Sequence, residues 1–214
     1  IEERSQELGG INNAYTWTEH CCYYTQGRSE YTEELLGLLC DSVYNSVLPP
    51  EAFENQREVI HSEFRMGRDE PIRVMYKMLY RTAFTQHPAR YPVIGYEELF
   101  DQITREDLLE YYHRMYIPEN TVLVVVGAVN ANVAFRAIEE TFGTIPRGTP
   151  SPPTLPDEPP QVGPRYANEE MDVDAVYLMM AFNTTRICKP DSYPLDVLGI
   201  IMGAGLNARL REKI

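Results

Sequence analysis

The sequence has no run of about 18 apolar residues, so it contains no segment long enough to cross a membrane as a helix. Basic residues are scarce: 19 Lys and Arg stand against 32 Asp and Glu, a formal net charge of −13, and no stretch clusters the cations. That balance argues against a nucleic-acid surface, because a phosphate-binding face needs grouped positive charge. The four cysteines show no C-x-x-C spacing. Cys21 and Cys22 are adjacent in a β-rich stretch, so they point to opposite faces and make no common chelate, and the set reads as free thiols. Histidine is equally thin. His20, His61, His87 and His113 are the only four, and no two stand at the i, i+4 spacing with which one helix face grips a metal.

What is present is a globular composition, 43% hydrophobic and 24% charged over 214 residues, enough for one large domain or one and a half ordinary ones. Residues 1–8 read as the back half of a helix that Gly9-Gly10 closes. Residues 13–26, rich in Thr, Tyr and Trp, read as a strand. Thr32 is placed to cap a helix whose Leu35, Leu39, Val43 and Val47 recur every four residues. Pro49-Pro50 ends it and starts the next, and Pro71 starts a third helix through Met75, Met78 and Leu79. Thr104-x-x-Asp107 is close to a capping box. The continuous apolar run "NTVLVVVGAV" predicts a fully buried strand, and a helix over 132–142 ends at Gly143. Residues 144–164 hold eight prolines and read as an extended, semi-rigid linker. A strand over 174–183 and a helix from Asp191 follow. The irregular order of strands and helices favours an α+β fold over a doubly wound sheet.

The stretch "FENQREVIHSEFRMGRDEP", residues 53–71, carries one anomaly. Phe53, Ile60 and Phe64 form an apolar stripe with Val59 on its shoulder, while Glu54, Asn55, Glu58, His61, Ser62 and Arg65 fill the opposite side. Glu63 falls between Val59 and Ile60, in one column with Gln56 two turns earlier. A carboxylate on that side has to be solvated, paired or metal-bound, since an unpaired buried charge is costly.

With "LGGINNAYT", "QREVIHSEF", "DEP", "FTQHPARYPVIG", "ITREDLLEYYHRMYIPENTVLVVVGAV" and the "FG" at 142–143 in order, the chain resembles the inverzincin zinc peptidases: pitrilysin, insulysin and the mitochondrial processing peptidase. The resemblance covers essentially the whole sequence, and "MGAGLNARLREKI" looks like the opening of the family's second homologous domain. It implies a layered sheet flanked by helices, with a peptidase-like domain over 1–143, a linker over 144–164, and the start of that second domain over 165–214.

In that family Zn2+ sits on an H-x-x-E-H helix, with a downstream Glu as third protein ligand. The resemblance makes Glu63 that ligand, and it places the H-x-x-E-H motif and its general-base Glu upstream of Ile1. Gln56 stands where many relatives carry a second Glu, and would support the ligand through hydrogen bonds without adding charge. Asn13 and Ala14 match the edge strand to which a peptide substrate adds as a further strand. The implied activity is zinc-dependent hydrolysis of unfolded or short peptides in a chamber closed by a second homologous domain or subunit. The alternative is a non-catalytic homologous partner. No membrane span and no nucleic acid enter either reading, and the compartment stays open between cytoplasmic and periplasmic or organellar.

Overall fold

The computed structural model describes residues 1–204 and 207–210. It divides into two units, Ile1–Tyr177 and Leu178–Ile214. In the first, α1 (Glu2–Glu7) leads into β1 (Ile11–Thr16), which pairs antiparallel with β2 (Cys21–Gln26), Ala14 opposite Tyr23. The single strand expected over 13–26 is therefore a hairpin. Trp17 N donates to His20 O at 2.8 Å and folds the intervening residues back. Thr and Tyr favour strand on both sides, so propensity alone does not show the reversal. Gly9 ends α1 at φ +67, the left-handed conformation that a helix C-terminus asks of glycine.

Four longer helices follow: α2 (Thr32–Tyr44), α3 (Pro50–Asp69), α4 (Pro71–Ala83) and, beyond a short α5 (Glu97–Phe100), α6 (Arg105–Met115). Pro50 and Pro71 occupy first-turn positions, where the missing N–H costs nothing. The capping box is present: Asp107 N donates to Thr104 Oγ1 at 3.1 Å, and Thr104 N donates to Asp107 Oδ2 at 2.9 Å. Thr32, by contrast, is not a cap. It lies inside α2, after a single tight turn over Ser29–Tyr31, and its hydroxyl donates back to Ser29 O.

The core gathers around α2. Its buried residues are Leu35, Leu36 and Cys40, and it packs against β2 and against α7 (Ala131–Glu140), whose buried residues are Ala134 and Ala137. Val47, expected on the buried stripe, lies past the end of α2 and is exposed. Tyr112 of α6 ties the end of α2 down, donating to Val43 O at 2.8 Å and accepting from Ser46 N at 3.1 Å. Burial of that ring pushes the Tyr112 hydroxyl above its ordinary pKa.

Two expectations fail. The run 121–129 is not a buried strand: it joins no ladder among the described residues, and Val122, Val124 and Val126 are 87%, 73% and 90% exposed. The strand expected over 174–183 is likewise absent, with Val176, Leu178 and Phe182 exposed. A strand satisfies its backbone only through neighbours, and β1–β2 is the one sheet among the described residues.

The proline-rich segment is irregular, and two carboxylates strap it to the first unit. Glu119 accepts from Arg147 Nε and from Gly148 N. Gly148 lies so close to Ile117 that a Cβ there would sit 2.7 Å from its Cγ2. Farther along, Glu158 accepts from the backbone N–H groups of Thr85, Gln86 and His87 and from the Thr85 hydroxyl. Arg165 donates to Ala83 O at 2.9 Å beside it. In the second unit α8 (Ser192–Gly199) is the helix expected from Asp191. Part of the closing stretch "LNARLREKI" lies outside the described residues.

Candidate functional site

Helix α3 divides into two faces. Phe64 is buried and Phe53, Arg57, Ile60 and His61 are partly so, whereas Gln56, Val59, Glu63 and Met66 form an exposed stripe on another side. Glu63 is therefore not buried as its place beside Val59 and Ile60 suggested. The exposed stripe is wider than the apolar pattern implied, and of its apolar neighbours Val59 is itself 49% exposed. Glu63 and Gln56 share this face two turns apart, and neither side chain hydrogen-bonds to a described residue. The carboxylate is thus solvated and uncommitted, one of the three states the sequence left open.

The opposite side of α3 is held by segment 97–103. Arg57 donates to Ile103 O at 3.0 Å and to Asp101 O at 3.3 Å. The two ring nitrogens of His61 face Glu97 Oε1 at 3.2 Å and Asp101 Oδ1 at 3.3 Å. Arg68 pairs with the other Glu97 oxygen. His61, which the sequence pattern puts among the polar residues opposite the apolar stripe, thus joins α3 to α5. The spacing carried a signal for it, since Arg57, His61 and Arg68 fall on one stripe of α3, and Glu97 and Asp101 stand four apart.

Asn13 and Ala14 are exposed on β1, whose outer edge has no strand partner among the described residues. Ala14 N donates to the Asn13 side-chain Oδ1 at 2.8 Å, so the neighbouring amide covers the edge N–H that an added strand would use. Beside them lies a cavity of about 340 Å³, lined by Asn12, Asn13, Ala14, Tyr23, Leu39 and Ser42 among others. No hydrogen bond or ring contact joins the hairpin to α3 among the described residues. The structure brings Gln56 and Glu63 onto one face and leaves Asn13 and Ala14 on a separate element.

No group of three or more His, Cys, Asp and Glu among the described residues is arranged to hold a metal ion. The donor set nonetheless suits a partial site. Glu63 offers an oxygen ligand on an accessible helix face, with an amide two turns away, and zinc accepts carboxylate oxygen. Alone it supplies one ligand where a catalytic site uses three.

Comparison with known proteins gives a consistent picture. Residues 1–97 match the family described as insulinase (peptidase family M16), and residues 102–214 match the peptidase M16 inactive domain. The whole chain aligns at 30% identity with an uncharacterized zinc protease of Mycobacterium leprae, covering 48% of it. It aligns at 23% with one of Bacillus subtilis, covering 51%. The chain thus spans about half the length of the curated relatives it matches. Among solved structures, a protease from Helicobacter pylori superposes with a TM-score of 0.72 at 25% identity, over 77% of this chain and 40% of that one. These likenesses agree with the α+β architecture. Among the described residues no helix is long and apolar enough to cross a membrane.

Proposed function

The chain belongs to peptidase family M16, and from that premise we propose that it is part of a zinc metalloendopeptidase in which Glu63 is a metal ligand. The observation that carries the reading is the placement of Glu63 with Gln56 on an exposed, uncommitted face of a helix whose other side is held by Arg57 and His61. In this proposal the remaining ligands and the general base come from polypeptide outside these 214 residues, because no H-x-x-E-H occurs in them. Zinc held there supplies an activated water and polarises the scissile carbonyl. The work of this chain is to present the Glu63 carboxylate, orient it through Gln56, and hold the peptide.

Peptide binding rests on the outer edge of β1. An extended substrate pairs with the backbone at Asn13 and Ala14 once the Asn13 amide swings off the Ala14 N–H, and main-chain bonding of this kind gives loose sequence specificity. The division into a peptidase-like domain over 1–143, a linker over 144–164 and the start of a second homologous domain or subunit from 165 belongs to the same proposal. That second half closes a chamber around unfolded or short peptides.

A second reading has its own support. The match of residues 102–214 to the inactive-domain family suits a non-catalytic partner subunit. One experiment separates the two. In the longer protein, Glu63→Gln abolishes zinc retention and peptide hydrolysis while the fold persists if the chain is catalytic. A parent that retains no zinc and cleaves no peptide before mutation establishes the partner reading. Full zinc and full activity in Glu63→Gln would rule out the ligand assignment.

A further inference from the structure

We propose that Arg57 and His61, with Arg68, are positioning residues that set the rotation of α3 about its axis and so aim Glu63. The inference rests on the proposed ligand role of Glu63. At about 100° per residue, positions 57, 61 and 68 fall within about 40° of one another and about 120–160° around the helix from Glu63. All three reach into one short segment, 97–103. Arg57 takes two of its carbonyls, His61 takes the carboxylates of Glu97 and Asp101 with its two ring nitrogens, and Arg68 takes the second Glu97 oxygen.

Phe100 fills the space between these polar contacts. The Arg57 guanidinium lies 5.7 Å from its ring centroid, and the His61 and Phe64 rings are 5.5 Å and 5.7 Å away. The side chains of Arg57, His61 and Glu97 are 23%, 21% and 22% exposed, so their contacts are partly desolvated and less screened than surface pairs. Arg68 and Asp101 are 63% and 50% exposed and contribute less. Apolar attraction is non-directional, so it fixes the rotation of a helix less sharply than polar contacts do. The directed hydrogen bond between His61 Nδ1 and Glu97, and those from the two terminal guanidinium nitrogens of Arg57, are far less tolerant of such a rotation. A metal-binding carboxylate has to be held within about 0.5 Å and 10–20° of its working geometry. Among the described residues the face bearing Glu63 carries no hydrogen bond to another element, so Gln56 adjusts the carboxylate only locally and the rotation of the whole helix is set from its opposite side.

The test uses the longer protein and follows zinc affinity by competition with a chelator, together with turnover of an extended peptide at varied free zinc. Arg57→Ala and His61→Ala should each weaken zinc binding about 10–100-fold, the scale of losses when a group supporting a ligand is removed. Turnover should recover at excess zinc, with KM within about twofold of the parent. Arg57→Lys and His61→Gln, which each keep one donor, should restore part of the affinity. Asp101→Asn keeps the shape while removing the charge and one acceptor oxygen, and serves where the alanine variants do not fold, with a smaller weakening expected. Leu36→Ala destabilises a distant part of the core and should leave the zinc affinity of the folded fraction unchanged. Wild-type zinc affinity in Arg57→Ala, His61→Ala and Asp101→Asn, while Glu63→Gln loses zinc, would overturn the inference and leave the ligand assignment standing. Zinc retained in Glu63→Gln would overturn both.

Discussion

The α2–α7 contact and the run 121–129 are both rich in aliphatic residues, yet the structure treats them oppositely. Leu35 and Leu36 of α2 and Ala134 and Ala137 of α7 are buried, whereas Val122, Val124 and Val126 stand almost bare. The difference lies in what each element needs. A helix closes its backbone hydrogen bonds internally and has only to find a partner for one stripe, which α2 and α7 supply to each other. A strand has to find neighbours along both edges before its apolar faces can be covered, and none flanks residues 121–129 among the described residues. Apolar composition therefore measures demand for burial and does not measure burial itself.

That contrast breaks first, if it is wrong, at Leu36. Its side chain is 5% exposed, so Leu36→Ala should cost about 2–5 kcal/mol in the chain as it stands, read from the midpoint of urea unfolding. A loss below about 0.5 kcal/mol would mean that the α2–α7 contact is not a core.

A local and pH-dependent effect comes next, at the strap between the proline-rich segment and the loop after α4. Desolvation pushes the Glu158 carboxyl up, but the hydrogen bonds from the Thr85 side chain and the His87, Gln86 and Thr85 amides outweigh it and bring the pKa down to about 2. The ordinary value is about 4.3. A depressed carboxylate stabilises above its unfolded pKa, so the strap should be intact at neutral pH and weaken as pH falls from about 4 through 2. Slowed hydrogen exchange at the Thr85, Gln86 and His87 amides should fade over that window. Glu158→Gln should remove the pH dependence, and an unchanged profile in that variant would disprove the strap.

The smallest effect belongs to the exposed run. At 73% exposure, Val124→Thr should change the stability of this chain by no more than about 0.5 kcal/mol, by the same urea measurement. A loss above about 1.5 kcal/mol would show that residues 121–129 are covered after all, and would close the gap between the two regions.

Much of the fold was legible from local chemistry. Pro50 and Pro71 announce helix starts, Thr104 with Asp107 announces another, and Gly9 an end, because each states a backbone condition that its neighbours cannot override. Residues 13–26 did not show their hairpin, since the Trp17–His20 reversal lacks the Asn-Gly or Asp-Gly pair that marks a tight turn. The candidate site was legible only in part. Family motifs single out Glu63, Gln56, Asn13 and Ala14, whereas the stripe at Arg57, His61 and Arg68 shows one polar face without saying which residues, about forty positions on, it meets.

The sequence by itself determined where α3, α4 and α6 begin and where α1 ends, the excess of acidic charge, and which residues carry the family motifs, because all of these are properties of short windows. Only the tertiary structure decided which side of α3 is committed. Helical periodicity places Glu63 beside Val59 and Ile60, but the burial of a stripe depends on what packs against it. Segment 97–103 takes the side bearing Arg57 and His61, and Glu63 is left facing solvent on the other.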